Sequence, residues 1–283
     1  MENNKLGNTI LMMPSLSIVL IITAYVVVNT LKESLGLIPE LFLNELTFKY
    51  YAKLFTDKIF ISSFLYSIFV ALISAALSTL LGTYLGYAVS KKKSSFTKVS
   101  YSIPVFLSYV AAAALIYNTY SDKGLLYHML QFIGIRTGSL NIIYNSKGLA
   151  VILLNMFKGI PFIAFSVYPI LLKNDTEYRE TATNLGCTNI MYIMKVLLPL
   201  CKRAILSSAL VIFNYNLFSY EGFYFLGPSN PLSMGVLAYN TYLNPDMTYR
   251  AYGMAINMVM IVISLMLCLL YYKLLKNKNE GVI

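Results

Sequence analysis

The chain has 283 residues, of which 58% are hydrophobic and only 12% charged, with 22 Lys and Arg against 12 Asp and Glu. Its mean hydropathy of +0.65 excludes an ordinary soluble domain, in which charged residues make up about 25%. The net charge of +10 does not point to nucleic acid, because the basic residues stand at the ends of apolar runs, where a membrane surface explains them.

In chain order, Leu6 to Leu31 carry no charge and are bracketed by Lys5 and Lys32. This run is too long for the apolar core of a signal peptide and reads as a retained first span, with Pro14 near its start. A second run, 59–90, stops at Lys91, Lys92 and Lys93, and the following "KKKSSFTK" reads as a stop with affinity for anionic headgroups. The third is expected over 99–120. "GLLYHMLQFIGI", 124–135, has helical spacing but is too short to cross; its His128 reads as interfacial. The fourth span covers 149–172 and contains Lys158; the fifth covers 197–218 and the sixth 251–272. "LGPSNPLSMG", 226–235, reads as a loop or re-entrant bend. Uninterrupted apolar runs rather than alternating ten-residue strands make the chain an all-α integral membrane protein with six transmembrane helices in one domain, 1–283.

Six spans place both termini on one side. Lys5, four lysines between 91 and 98, five basic residues between 173 and 203 and three beyond Tyr272 make thirteen, against eight in the alternating loops. The positive-inside rule therefore puts both termini, and the segment 174–196, in the cytoplasm of a cell membrane protein.

That segment is polar. Asn174 with Glu177 has the capping-box spacing and predicts a helix starting near Thr176. Leu185-Gly186 reads as its stop, with Gly186 at φ > 0. Thr188 is placed to cap a second short helix running to Leu198-Pro199, and Pro199 suits the first turn of the fifth span or a bend before it. The same caps would serve a plain connector.

"ETATNLGCTNIMYIMKVLLP", 180–199, resembles the cytoplasmic loop of permease subunits in binding-protein-dependent ABC importers, on Glu180, Ala182, Gly186, Val196, Leu198 and Pro199. Thr181, Leu185 and Cys187 depart from the usual residues. "YSIPVFLSYVAAAALIYNTYSDKGLLYHML" and "FKGIPF" are similar to the third and fourth spans of that family, and "FNYNLFSYEGFYFLGPSNPLSMGVLAY" resembles its polyamine branch. The resemblance implies a type I ABC importer permease fold with a cytoplasmic coupling helix between the fourth and fifth spans. It assigns ATPase coupling to Glu180, Thr181, Ala182, Gly186, Leu198 and Pro199. It implies a non-catalytic subunit that binds no cofactor, with ATP and Mg on partner ABC ATPase subunits, a second permease subunit, a heteromeric pair being favoured over a homomeric one, an extracytoplasmic solute-binding protein, and a small organic cation such as a polyamine as substrate. The chain itself has no G-x-x-x-x-G-K-[ST] phosphate loop. A sugar permease is the alternative within the family, and a self-powered carrier or channel the alternative outside it.

Lys158 and Glu221 are the candidates for the translocation path, since a charge at span depth usually faces a bundle interior or a water-filled cavity. An ion pair or a snorkelling contact that stabilises the bundle is the other reading. Three cysteines, Cys187, Cys201 and Cys268, and one histidine suggest neither a disulfide framework nor a metal site.

Overall fold

The computed structural model describes residues 2–39, 45–91, 102–135 and 141–276. It is helical, with no strand among the described residues beyond an isolated bridge at Ile38. The helices are α1 (Glu2–Ser34), α2 (Lys49–Thr56), α3 (Lys58–Ser90), α4 (Tyr109–Tyr120), α5 (Leu125–Phe132), α6 (Leu149–Asn184), α7 (Asn189–Tyr192), α8 (Leu198–Phe218), α9 (Glu221–Leu226), α10 (Met234–Tyr242) and α11 (Tyr249–Lys276), with a π-helical turn Ile193–Leu197 between α7 and α8. Five segments are long and apolar enough to cross a membrane: Met13–Ser34, Lys58–Ser90, Leu149–Leu172, Ile193–Phe218 and Tyr249–Lys273.

The run expected as a third span is divided. Residues 102–106 form a helical turn, and α4 starts afresh after Ser108, whose Oγ accepts the Ala111 N–H at 3.1 Å. A side-chain N-cap satisfies an orphan donor at a new helix start and so stabilises the interruption. Residues 99–101 of that run, and the stop "KKKSSFTK" beyond Lys91, lie outside the described residues. The short helix expected at 124–135 is present as α5, and 227–233 form the expected loop. Pro14 does not open its helix: α1 begins well before it, so the missing N–H interrupts the ladder rather than falling among the orphan donors.

The chain divides into two compact units. The first comprises Met1–Ile61 and Leu237–Ile263. Its membrane helix α1 is only 6% buried along the apolar window, and Leu16, Ile18, Leu20, Ile21 and Tyr25 are all exposed. Polar contacts gather at the C-terminal end of that helix. Arg250 donates to both carboxylate oxygens of Glu33 at 3.0 and 3.2 Å, Tyr252 donates its hydroxyl to Asp57 at 2.5 Å, and Lys53 Nζ lies 5.1 Å from the Tyr252 ring.

The second unit comprises Ser62–Val236 and Ser264–Ile283. Its axis is the contact of α3 with α6, made by small residues. Ser78, Gly82 and Gly86 recur every four residues on one face of α3. A Cβ on Gly82 would come within 2.7 Å of the Ile160 carbonyl oxygen and 2.8 Å of Ile163 Cβ, and one on Gly159 within 2.6 Å of Ser78 Oγ. Lipid tails give apolar side chains no incentive to leave them, so helices in a bilayer associate through this kind of close backbone packing. Two clusters flank the seam. One, with Tyr66, Val70, Ala113, Leu154 and Phe223, joins α3, α4, α6 and α9. The other, with Ala75, Ile163, Leu171, Ala182, Tyr192, Leu197 and Cys201, joins α3 and α6 to α7, the π turn and α8.

Candidate functional site: an exposed helical knob and a cleft in the bundle

No new helix begins at Asn174. The backbone is helical without a break from Leu149 through Asn184, which corrects the start expected near Thr176. Amides at 174–177 already have carbonyl partners one turn back, so there is no orphan donor for a capping box to satisfy. The fourth membrane segment simply continues as the first helix of the polar loop.

The expected stop is present. Gly186 has φ +77°, Cys187 N–H donates to the Ala182 carbonyl and Gly186 N–H to the Thr183 carbonyl, both at 2.9 Å. This paired 6→1 and 5→2 pattern is the Schellman motif, and its left-handed position favours glycine. Thr188 caps α7, accepting the Met191 N–H at 3.4 Å. Pro199 then falls in the first turn of α8, directly after the π turn, in which Leu198 N–H reaches back five residues to Ile193. A wider turn at this point accommodates a residue that cannot donate and whose ring crowds the preceding turn.

The six residues assigned to coupling separate into two roles. Glu180, Thr181 and Gly186 are exposed, and Leu185 beside them is 79% exposed. Ala182 is only 7% exposed and packs in the cluster with Tyr192, Leu197 and Cys201. It tethers the knob to the membrane helices, while its neighbours in sequence present the outer surface. Leu198 and Pro199 are exposed where α8 begins. Tyr192, Leu197 and Cys201 were missed from sequence as anchors, although 182 and 192 flank the glycine as the two helices' inward positions.

Lys158 and Glu221 do not meet. Among the described residues no carboxylate lies within 4 Å of Lys158; the ion pair between side chains is Arg250–Glu33. The Lys158 ammonium instead donates to the carbonyls of Pro104 at 2.9 Å, Val105 at 3.3 Å and Leu107, and lies 5.2 Å from the Tyr109 ring. These carbonyls end the helical turn before α4, so the cation caps the negative end of that turn at the break. Glu221 occupies the first turn of α9, a favourable place for a carboxylate.

Lys158 also lines a cleft of about 210 Å³ within this second unit, together with Val105, Tyr109, Asn155, Gly159, Phe162, Val211, Ile212, Tyr215 and Asn216. The Tyr109 and Tyr215 rings are 5.0 Å apart, and the Asn216 amide donates to Ser74 Oγ at 3.0 Å. Positions 155, 158, 159 and 162 share one helical face, as do 211, 212, 215 and 216. With Lys158 as the anchor, that spacing was the signal that could have found Asn155.

Residues 76–278 match the family described as binding-protein-dependent transport system inner membrane component. The chain belongs to this family. As a family member it is a membrane transport component, not an enzyme. It is 24% identical over 180 residues, 62% of its own length, to a probable sulfate transport system permease protein of Helicosporidium sp. subsp. Simulium jonesii, and spans 64% of that relative. It is 25% identical over 158 residues, 55% of each chain, to a molybdate/tungstate transport system permease protein of Pyrococcus furiosus. The chain thus spans about three fifths of the length of these curated relatives. Its fold is that of a bacterial ABC transporter involved in the import of the acidic polysaccharide alginate, with a TM-score of 0.78 at 16% identity over 95% of this chain and 96% of the other. The type I permease fold implied by the loop is therefore established, and the polyamine branch is not where these relatives lie.

Proposed function

We propose that this chain is the transmembrane subunit of an ATP-driven importer for a small oxyanion, moving its substrate by alternating access. The observation that carries the reading is the exposed helix–glycine–helix knob, built on the same helix as the membrane seam, in a member of this transporter family. In this reading the chain crosses six times, with the divided 99–120 segment as the third, and the bias of basic residues supports a cytoplasmic position for both termini and the knob. There Glu180, Thr181 and the Gly186 turn seat in a cleft of a partner ATPase that carries ATP and Mg, while Ala182, Leu198 and Pro199 transmit its displacement to α6 and α8. A second permease subunit completes the pair, and an extracytoplasmic solute-binding protein delivers substrate.

An oxyanion replaces the organic cation expected from the sequence for two reasons. The relatives above are named for sulfate and for molybdate/tungstate. The charge that lines the cleft is Lys158, whereas Glu221 stands outside the lining, behind Tyr109 and Tyr215, on which its charge acts.

The test is affinity purification of the tagged chain from its native membrane, with identification of the associated chains and of the solute on the binding protein. An ATPase that cross-links to a cysteine placed at Glu180, and ATP-dependent uptake of sulfate or molybdate by the reconstituted complex, are expected. A complex without an ATPase, or one cross-linked only elsewhere, overturns the coupling role. A Glu221→Gln variant with wild-type uptake removes Glu221 from the path.

A further inference from the structure

Asn155 is the one side chain in the cleft whose hydrogen-bonding groups have nothing to do. It is 0% exposed, it lines the cleft, and neither its amide nitrogen nor its amide oxygen has a partner among the described residues. A carboxamide at membrane depth, surrounded by apolar walls, is costly unless something pairs with it, because no bulk water is present to do so. Its neighbours in the cleft do not pair with it: one amide N–H of Asn216 goes to Ser74, and Lys158 gives its N–H groups to the carbonyls of residues 104, 105 and 107.

The division of labour between Asn155 and Lys158 selects the ligand. Lys158 is one turn away from Asn155 on α6 and brings a positive charge with no carboxylate within 4 Å among the described residues, but its donors are occupied. It contributes charge without a free hydrogen bond. Asn155 contributes two N–H donors without charge. A cationic solute is repelled by the first, and an apolar one leaves the second unpaired. A small anion rich in acceptor oxygens satisfies both, and the low-polarity walls of Val105, Phe162, Val211 and Ile212 strengthen the pull of a single cation.

We infer that this cleft is a transit site, inside one permease chain, for a small tetrahedral oxyanion of the sulfate or molybdate class, with Asn155 as its hydrogen-bonding contact and Lys158 as its electrostatic one. The inference rests on the transport reading above and adds the place where the substrate pauses. The amide oxygen accepts from a water molecule that the ion retains. Because the lysine is already engaged, binding is loose. That suits a pathway, in which an ion must be held firmly enough to enter and weakly enough to leave.

The test uses the whole complex of permeases, ATPase and binding protein in proteoliposomes, with radiolabelled sulfate and molybdate as probes. Asn155→Asp keeps the shape but exchanges donors for a negative charge, and Asn155→Leu keeps the volume but removes the donors. Each is expected to lower uptake about ten-fold or more, with the assembled complex recovered in normal yield. In parallel, saturable sulfate or molybdate binding to the wild-type complex lacking its binding protein is measured by equilibrium dialysis, which needs no variant to fold. It is expected to weaken in Lys158→Gln. Wild-type uptake of either ion, with both Asn155 variants equal to wild type, overturns the site and leaves the importer reading standing. So does the absence of saturable binding in the dialysis. Failure of the wild-type complex to move either ion overturns the substrate class itself.

Discussion

One helix carries two opposite solutions to the same problem. Over Leu149–Leu172, α6 is 56% buried along its apolar window and is held by contacts so close that Gly82 and Gly159 leave no room for a Cβ. Fewer than twenty residues further on, the same helix is nearly bare: of residues 180–186 only Ala182 is buried, and nothing lies within 4 Å of where a Cβ on Gly186 would stand. The seam uses glycine for space, and the knob uses it for conformation. The helix is thus packed tightly at one end and exposed at the other, with Pro161 and Pro169 between them as the places where its hydrogen-bond ladder is interrupted.

Adding side chains at the two kinds of glycine separates these uses. Gly82→Leu is expected to have the largest effect, because the obstructing atoms are the Ile160 carbonyl oxygen and Ile163 Cβ, neither of which can swing aside as the end of a flexible side chain could. Overpacking there costs about 3 kcal/mol. Loss of monodisperse protein in size-exclusion chromatography and a fall in the detergent unfolding midpoint measure it. A normal midpoint would mean that α3 and α6 do not meet as closely as the seam requires.

Lys158→Met comes next. It removes the cation from the carbonyls of Pro104, Val105 and Leu107 while keeping most of the side chain's length and apolar volume. Removing a charged donor from these part-buried carbonyls costs about 1–2 kcal/mol, and faster amide exchange at the start of α4 is the local sign. An effect confined to transport, with stability unchanged, would show that the lysine serves the path and not the break.

Gly186→Val tests the conformational glycine. Nothing obstructs the side chain in space, so the cost is the left-handed φ alone, about 1–2 kcal/mol. Membrane insertion and the seam should be untouched, whereas ATP-driven uptake should fall several-fold. Gly186→Asn should recover most of it, since asparagine tolerates this region. Valine with full uptake would remove the turn from the coupling route.

Membrane helices and the glycine stop were legible because they follow from local rules: apolar length, and a residue able to take positive φ. What was not legible depended on partners distant in sequence. The spacing of Asn174 and Glu177 matched a capping box, yet a helix already running from Leu149 had no free donors to cap. Lys158 looked for a carboxylate and found carbonyls more than fifty residues away, exposed by a break at Ser108 that apolar periodicity does not register. Asn155 gave no signal of its own, because its importance lies in partners it lacks.

The smallest expected effect lies at the join of the knob's two helices. Thr188 accepts the Met191 N–H at 3.4 Å, near the long limit of a useful hydrogen bond, so its cap should sit at the weak end of the usual range. Thr188→Ala is expected to cost about 0.5 kcal/mol, too little to shift the global unfolding midpoint. It should still appear in amide exchange at Met191 and Tyr192, which lie in the first turn of a helix that continues through the π turn into α8. Tyr192 is buried against Leu197 and Cys201, and this packing, rather than the cap, is what should keep the second helix in place. Tyr192→Ala should therefore loosen α7 more than Thr188→Ala does; the reverse order would mean that the knob is held by its own turn and not by its tether to the membrane helices.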